Sequence, residues 1–397
     1  MKLSKALFLV FAMVVLCTGC GGREIDETAY IIALGIDEGE KSGYTYTLQF
    51  SAPLETVEGK GAQAEGKGKG EEKNENSTVR NVVIKAKDFY TARNMINNFM
   101  GKNVDMSHLK LIVFSKGLDG DGFLKHSQFL LREREVRPHT AVAASKSSAE
   151  EYIKSVRPEL EANTAKYYEL MSMQSNNVYS PSKRLSGFVD ELLSDTGVAF
   201  LPIALTGSQS ENGESAEGES MWVDIKDGVI ESSRAELRGM AIFKDGELLT
   251  EADGDFAMIY NILSRGIKSC TLSLKNPYQK QHTISFRLRI PHQAEYSVDA
   301  QKKPCRILVT QGLGVEFLGG ELPEGFSSYE DLYAYARSVL TERFTEYFYD
   351  LARGKRADIM KIGNSRKARL LTEAEWKPEE WEKTFEGAEF VVNVYFI

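Results

Sequence analysis

Only four cysteines, five histidines, three tryptophans and ten prolines occur in 397 residues. Two of the cysteines, Cys17 and Cys20, lie at the extreme N-terminus, so neither a dense disulfide scaffold nor a four-thiolate metal site can be built. Cys270 and Cys305 either bridge in an oxidising compartment or serve as two small buried hydrophobes, and spacing alone does not choose between these. The histidines, at 108, 126, 139, 282 and 292, show neither HExxH spacing nor a metal-ligand cluster. A GxSxG elbow is missing as well. Positive charge is in deficit: 49 Lys and Arg stand against 57 Asp and Glu, a net charge of −8. Removing the first nineteen residues takes Lys2 and Lys5 and leaves 47 against 57, or −10. That balance argues against a nucleic-acid role, which needs a basic stripe, and against binding anionic headgroups through a polybasic face, so any membrane association is expected to come from a lipid or a partner. Beyond residue 20 no apolar run approaches the length of a membrane span.

What is present begins at the N-terminus. Residues 1–6 carry Lys2 and Lys5, and residues 7–16 (LFLVFAMVVL) form an unbroken apolar run of signal-peptide length. Cys17-Thr18-Gly19-Cys20 follows and resembles a lipobox, with small residues ahead of the acceptor. Residues 1–19 are therefore expected to be a lipoprotein signal peptide and Cys20 the lipidation site, where two acyl chains on one residue suffice for stable anchoring.

The rest has ordinary globular composition, 42% hydrophobic and 27% charged, and length for two or three domains. Residues 30–36 and 44–50 read as a hairpin. Residues 58–77 are rich in Gly, Lys and Glu and read as a disordered loop. Then strands at 79–85, 109–115, 137–145 and 198–205 alternate with helices at 88–100, 121–132, 148–156, 160–173 and 182–193. Residues 207–233, mostly small and polar at first, read as a linker. A hairpin at 235–250, a helix at 255–263 and strands at 267–274, 282–290, 293–300 and 305–318 follow, a mainly antiparallel set. The longest helix, 327–353, opens on a Ser327/Glu330 capping box and closes at Gly354. Its Leu332, Ala336, Val339, Leu340, Tyr347, Phe348 and Leu351 recur at helical spacing and predict a packed face. A helix near 378–385 and a strand at 390–396 end the chain. The fold class expected is α+β, multi-domain: residues 20–206 as an alternating strand–helix sheet domain, then 234–397 as a mainly antiparallel sheet domain with a long packed helix.

The short motifs that hint at chemistry weaken on inspection. Gly61-x-x-x-x-Gly66-Lys67 lacks the Ser/Thr of a phosphate loop and the strand–helix context that a phosphate cradle needs. Ser180-Pro181-Ser182-Lys183 matches SxxK, but no KTG element accompanies it, and the segment reads instead as an N-cap for the 182–193 helix. Glu251, Asp253 and Asp255 cluster before a helix, where they complement its dipole rather than form a calcium loop. No catalytic residue, metal or cofactor is expected, and a binding or assembly role is favoured over an enzyme.

The order of segments resembles the Ger(x)C family, the lipoprotein C-subunits of spore nutrient-germinant receptors. The resemblance runs through REIDETAYIIALGID (23–37), YTYTLQFSAP (44–53), HLKLIVFSK (108–116), ESSRAELRGMAIFKDGELL (231–249), LARGKRADIMKIGNSRKAR (351–369) and EEWEKTF (379–385), ahead of a valine-rich final strand. Gly21-Gly22 stands where many members have Trp-Asp, and the 58–77 insertion is longer than usual. The resemblance implies a non-enzymatic subunit needed for the germination response. It implies two polytopic membrane subunits as partners, placement on the outer face of the spore's inner membrane, and a mixed α/β, multi-domain fold. A solute-binding lipoprotein delivering a ligand to a transporter is the alternative and would require two doubly wound lobes. An anchored hydrolase is a third.

Overall fold

The computed structural model describes residues 27–40, 43–51, 79–158, 161, 163–173, 177–206, 235–279, 281–372 and 375–397. The stretch 1–19 read as a signal peptide, Cys20, the stretch 58–77 read as a loop and the stretch 207–233 read as a linker all lie outside these residues.

Continuous apolar strands, buried on both faces, require helices on both sides of a sheet. β5 (Leu111–Ser115) and β6 (Ala141–Ser145) are of this kind, and they sit at the centre of a nine-stranded sheet. Its order is β3-β2-β1-β5-β6-β7-β8-β9, with short β4 (Asn103–Asp105) also paired to β1. β1 (Thr28–Glu38), β2 (Tyr44–Ser51) and β3 (Val79–Ala86) form an antiparallel meander, in which Asp37 faces Thr45. β1, β5, β6 and β7 (Val198–Thr206) are parallel, and β8 (Ala235–Lys244) and β9 (Glu247–Ala252) return antiparallel.

One face of this sheet is covered by α1 (Phe89–Met100), α2 (Gly120–Arg132) and α5 (Leu185–Leu192); Ile96 of α1 joins this core, and Phe123 and Phe188 pack on Phe114 and Phe243. The other face takes α3 (Ala149–Ser155) and α4 (Thr164–Met173), through Tyr152, Ile153 and Tyr168. α3 lies close to the sheet because Gly35 has no side chain: a Cβ there would meet Ile153 Cδ1 at 2.9 Å. The start of α3 is fixed by Asp37, whose two oxygens accept from Ala149 N (2.7 Å) and Glu150 N (3.0 Å). This places a carboxylate at a helix N-terminus, where the dipole favours it.

The second sheet contains β10 (Ser269–Lys275), β11 (Thr283–Arg289), β12 (Glu295–Asp299), β13 (Arg306–Phe317) and β14 (Glu389–Phe396). β11 and β12 run antiparallel to successive stretches of β13, and Gln311, fully buried in β13, donates to His292 O (3.1 Å) in the gap between them. The long helix α7 (Tyr329–Tyr349) lies on this sheet, with α6 (Gly254–Leu263) between the two sheets. α8 (Ile362–Lys367) and α9 (Pro378–Glu386) complete the second half.

The mixed fold expected from the sequence is the one observed, with several local differences. The 235–250 hairpin, read as the start of the second sheet, extends the first: β7, buried along its whole length, needs a partner on its free edge, and β8 supplies it. β14 is parallel to β13, so the second sheet is not wholly antiparallel. The helix expected at 182–193 starts at Leu185; Arg184 is its cap position and makes no side-chain capping bond. The Ser180–Lys183 stretch is held elsewhere, as described below, so the N-cap reading of that motif is corrected. The α7 cap is Ser328, accepting from Asp331 N (3.2 Å), one residue beyond the expected box. That helix passes into a π-helical turn over Asp350–Gly354. All seven residues of its expected stripe are buried, joined by Phe344. β4 and α8 were not expected: three strand residues and six helical ones carry too little periodicity to read.

Candidate functional site: the charged junction between the sheets

β7 and β8 present alternate side chains to two cores. Ala199 and Leu201 point to the helices of the first half, while Val198, Phe200, Met240 and Ile242 point to α6 and the second sheet. Polar groups trapped along such a seam are in most cases paired.

The chain between α4 and α5 crosses the seam as a strap. Asn261 of α6, almost fully buried, donates through its Nδ2 to the carbonyls of Asn177 (3.3 Å), Val178 (2.9 Å) and Ser180 (3.2 Å). Gly239 N of β8 donates to Tyr179 O (2.8 Å), and Val142 N of β6 donates to Lys183 O (3.1 Å). These bonds hold the strap extended and explain why α5 starts late.

At the end of the strap, Lys183 turns inward. Its Nζ lies 2.6 Å from Glu191 Oε2 and 3.4 Å from the centroid of the Phe200 ring. Both ionic side chains are only 8% exposed. Burial lowers the Lys183 ammonium to about 8, against the opposing pull of Glu191. The second oxygen of Glu191 reaches Lys361 of the second half at 3.1 Å, so one carboxylate joins two lysines across the seam. Lys361 has a left-handed backbone (φ 56°) and precedes α8.

Asp358, three residues earlier, organises that turn. Its carboxylate accepts from Ile362 N (2.9 Å), Gly363 N (2.7 Å) and Trp381 Nε1 (3.1 Å). Burial pushes Asp358 above the ordinary carboxylate range, and these donors pull it back. Lys367 pairs with Asp195 beyond α5. Between these groups lies a cavity of about 260 Å3, lined by Asp195, Val198, Asp358, Lys361, Lys367 and Trp376. Further ties cross the same seam, Lys244 to Glu382 (2.7 Å) and Lys355 Nζ to Glu251 O (3.2 Å), and within the first sheet Lys116 pairs with the Glu251 side chain (2.7 Å). A second cavity of about 440 Å3 opens beside the last two, lined by Glu251, Phe256, Arg343, Tyr347, Asp350 and Lys355.

Such an arrangement fastens two bodies together. A Ser180–Lys183 dyad is not formed: Ser180 Oγ is buried without a hydrogen-bond partner, and Lys183 is engaged by Glu191. Of the acidic cluster, Asp253 caps α6 by accepting from Phe256 N (2.9 Å), Asp255 is buried in its first turn, and Glu251 pairs with Lys116. His126 is a core residue, 2.9 Å from Tyr46 Oη and 2.7 Å from Gly122 O, with its basicity lowered by burial. His108 packs edge-on to Tyr30, and the described histidines do not converge. Cys270 and Cys305 are buried free thiols, the second of the two readings left open by their spacing. Among the described residues no group of three or more His, Cys, Asp or Glu side chains is placed to hold a metal. Among the same residues no helix is long and apolar enough to cross a membrane.

Sequence reasoning reached Lys183 through the wrong motif and missed Glu191, Asn261, Asp358 and Lys361. One local signal was there for Asp358: an acidic residue four ahead of a helix start, the spacing at which a carboxylate can collect free N–H groups.

The family model described as "Spore germination protein N-terminal domain" matches residues 21–205. The model described as "Spore germination B3/ GerAC like, C-terminal" matches residues 238–396. Among solved structures, the crystal structure of the GerBC protein is similar, at 14% sequence identity and a TM-score of 0.50, covering 91% of this chain and 96% of that one. No curated protein sequence matches.

Proposed function

The chain belongs to the GerAC-like family of spore germination proteins, and from that premise we propose that it is the lipoprotein subunit of a nutrient-germinant receptor, working by contact and without catalysis. The observation that carries this reading is the pair of family matches, which together span nearly the whole chain after Cys20. Cys20 is the lipid acceptor in this reading, and the body is held against the outer face of the spore's inner membrane. Two polytopic membrane subunits are its partners. The chain acts as two units with residues 207–233 as the connection, and the β8–β9 hairpin keys the second unit into the first sheet. The seam supports a contact role: its charged groups are spent on one another, in pairs that fix the relative position of two docking bodies. Lipid attachment also confines the search for partners to one surface and raises their effective concentration.

The test is genetic. Spores lacking this chain should fail to respond to the nutrient that their receptor recognises, and wild-type protein should restore the response. Cys20→Ala should fail to restore it and should carry no label after growth with a radioactive fatty acid. A full response from the Cys20→Ala strain, or undiminished label, would overturn the anchoring part of the proposal.

A further inference from the structure

Every parallel strand of the first sheet begins at the same end of the molecule, and the chain enters there. Thr28, the first residue of β1, pairs with Asn103 at the start of β4. Eight peptide units separate Thr28 from Cys20, a reach of at most about 28 Å. If Cys20 carries lipid, this end of the sheet lies near the bilayer.

α1 ends at the same place. Met100 closes the helix, Gly101 turns it in a left-handed conformation (φ 62°), and β4 follows. Phe99 is four residues before Asn103, within about 15 Å along the chain. It is also 79% exposed, and Met95, one turn earlier on the same face, is 50% exposed. Their exposed neighbours on the helix are Thr91, Asn94 and Asn98, all uncharged. The single charged residue of α1, Arg93, turns away and pairs with Glu133 (3.6 Å) and Glu135 (2.8 Å). A protein with 57 acidic residues thus keeps this face free of them.

The adjoining edge is basic. Lys102 precedes β4, and Arg134 and Arg137 lie in the segment leading to β6. That segment is fastened beside α1 and β4 by Arg93, which reaches both Glu135 and Val104 O (3.2 Å), and by Met106 N donating to Glu135 (3.1 Å). Lys102, Arg134 and Arg137 are exposed and form no ion pair among the described residues. In that segment Glu133 and Glu135 are already engaged by Arg93, and the acidic residues that share this end are Glu27, directly before β1, and Asp105 of β4, which accepts from Ser107 N (2.7 Å).

We infer that this end of the molecule is a membrane-contacting surface, with Phe99 and Met95 entering the interfacial layer of the bilayer and Lys102, Arg134 and Arg137 meeting anionic headgroups. The inference rests on the reading of Cys20 as the lipid anchor. An apolar pair flanked by cations suits the boundary between headgroups and acyl chains, and a short tether brings it there without a separate encounter. The orientation also follows: the parallel-strand starts face the bilayer, and the opposite ends of the strands face away.

The test uses the full lipidated protein in vesicles of phosphatidylcholine and phosphatidylglycerol. A nitroxide-sensitive fluorophore is placed on Phe99→Cys and, separately, on Leu371→Cys, a 93% exposed site in the second half. Cys270 and Cys305 are buried and remain unlabelled. Quenching by lipids carrying a nitroxide at the shallow acyl positions should be at least threefold stronger at position 99 than at 371. Changing Lys102, Arg134 and Arg137 together to Glu should reduce the difference by more than half. Mass spectrometry of the N-terminal peptide reports lipidation independently. Equal quenching at both sites in protein shown to be lipidated overturns the inference and leaves the anchor intact. Absence of lipid on Cys20 overturns the anchor and the inference with it. Shielding of position 99 from aqueous quencher only in native membranes that contain polytopic partners, with none in vesicles, assigns the face to protein contact and likewise overturns it.

Discussion

Replacing Glu191 with Gln keeps the shape of α5 and removes the carboxylate that stands 2.6 Å from Lys183 and 3.1 Å from Lys361. Taking one partner from a buried ion pair ordinarily costs about 3–5 kcal/mol. Here the loss has a ceiling, because burial already holds Lys183 at about 8 and the variant escapes the unpaired charge by releasing its proton. Each pH unit below that value is worth about 1.4 kcal/mol. The Lys183 part of the loss is therefore about 1 kcal/mol at pH 7, about 3 kcal/mol at pH 6 and close to nothing at pH 9. The surface-facing half of the Lys361 pair adds about 0.5 kcal/mol at each pH. The sign follows from the direction of the shift: Lys183 lies below its ordinary 10.5, so the wild-type fold carries the full penalty below pH 8. That penalty fades as the pH rises from 8 toward 10.5, while in the variant it fades at lower pH, so the two stability curves converge above pH 8. Equilibrium urea denaturation of both proteins at pH 6, 7 and 9 measures it. With Lys183→Met introduced into both proteins, the pH dependence of the difference should vanish. A difference that is flat between pH 6 and 9, or that widens with pH, would refute the reasoning.

Three further outcomes are expected. Asn261→Ala removes the donors that hold the strap to α6, and should destabilise by about 2 kcal/mol; a loss below about 0.5 kcal/mol in urea denaturation would show that the strap is held by its other bonds. Asp358→Asn puts an amide where three N–H groups converge, and should cost about 2–3 kcal/mol; its effect should be less than additive with Trp381→Phe, and strict additivity in a double-mutant cycle would break the link between them. Burial pushes the Cys270 thiol to about 12 and raises Cys305 as well, so iodoacetamide at pH 8 should modify neither in the folded protein and both after unfolding in denaturant; rapid modification of the native protein, followed by peptide mass, would contradict their burial.

Much of the architecture was legible because it rests on local pattern. The α7 stripe, the apolar runs of β5 and β7, and the turn at Asp245-Gly246 each carry their period or turn chemistry in a few consecutive residues. Sheet membership did not read, because it is decided between segments: β8 and β9 have the pattern of any hairpin, and only the exposed edge of buried β7 assigns them to the first sheet. The same holds for β4, three residues long, whose existence depends on β1. Local chemistry also misled where tertiary bonds outweighed it. Ser182 is a good cap residue, yet the hydrogen bonds from Asn261, Gly239 and Val142 hold its neighbours extended. The junction was the least legible part. Lys183 precedes α5 and Glu191 lies in its last turn, but their partner Lys361 comes from the other half of the chain, and no spacing rule spans that separation.

The central claim, that this chain is a lipid-anchored receptor subunit acting by contact, is tested most directly by capture from membranes. The protein with an epitope after Ile397 is recovered from gently solubilised, lightly crosslinked spore membranes, and its companions are identified by mass spectrometry. The account expects two polytopic proteins in constant ratio to the chain, lost when residues 21–205 are exchanged for an unrelated domain. Recovery of the chain alone, or turnover of a small molecule by the purified protein, would contradict it.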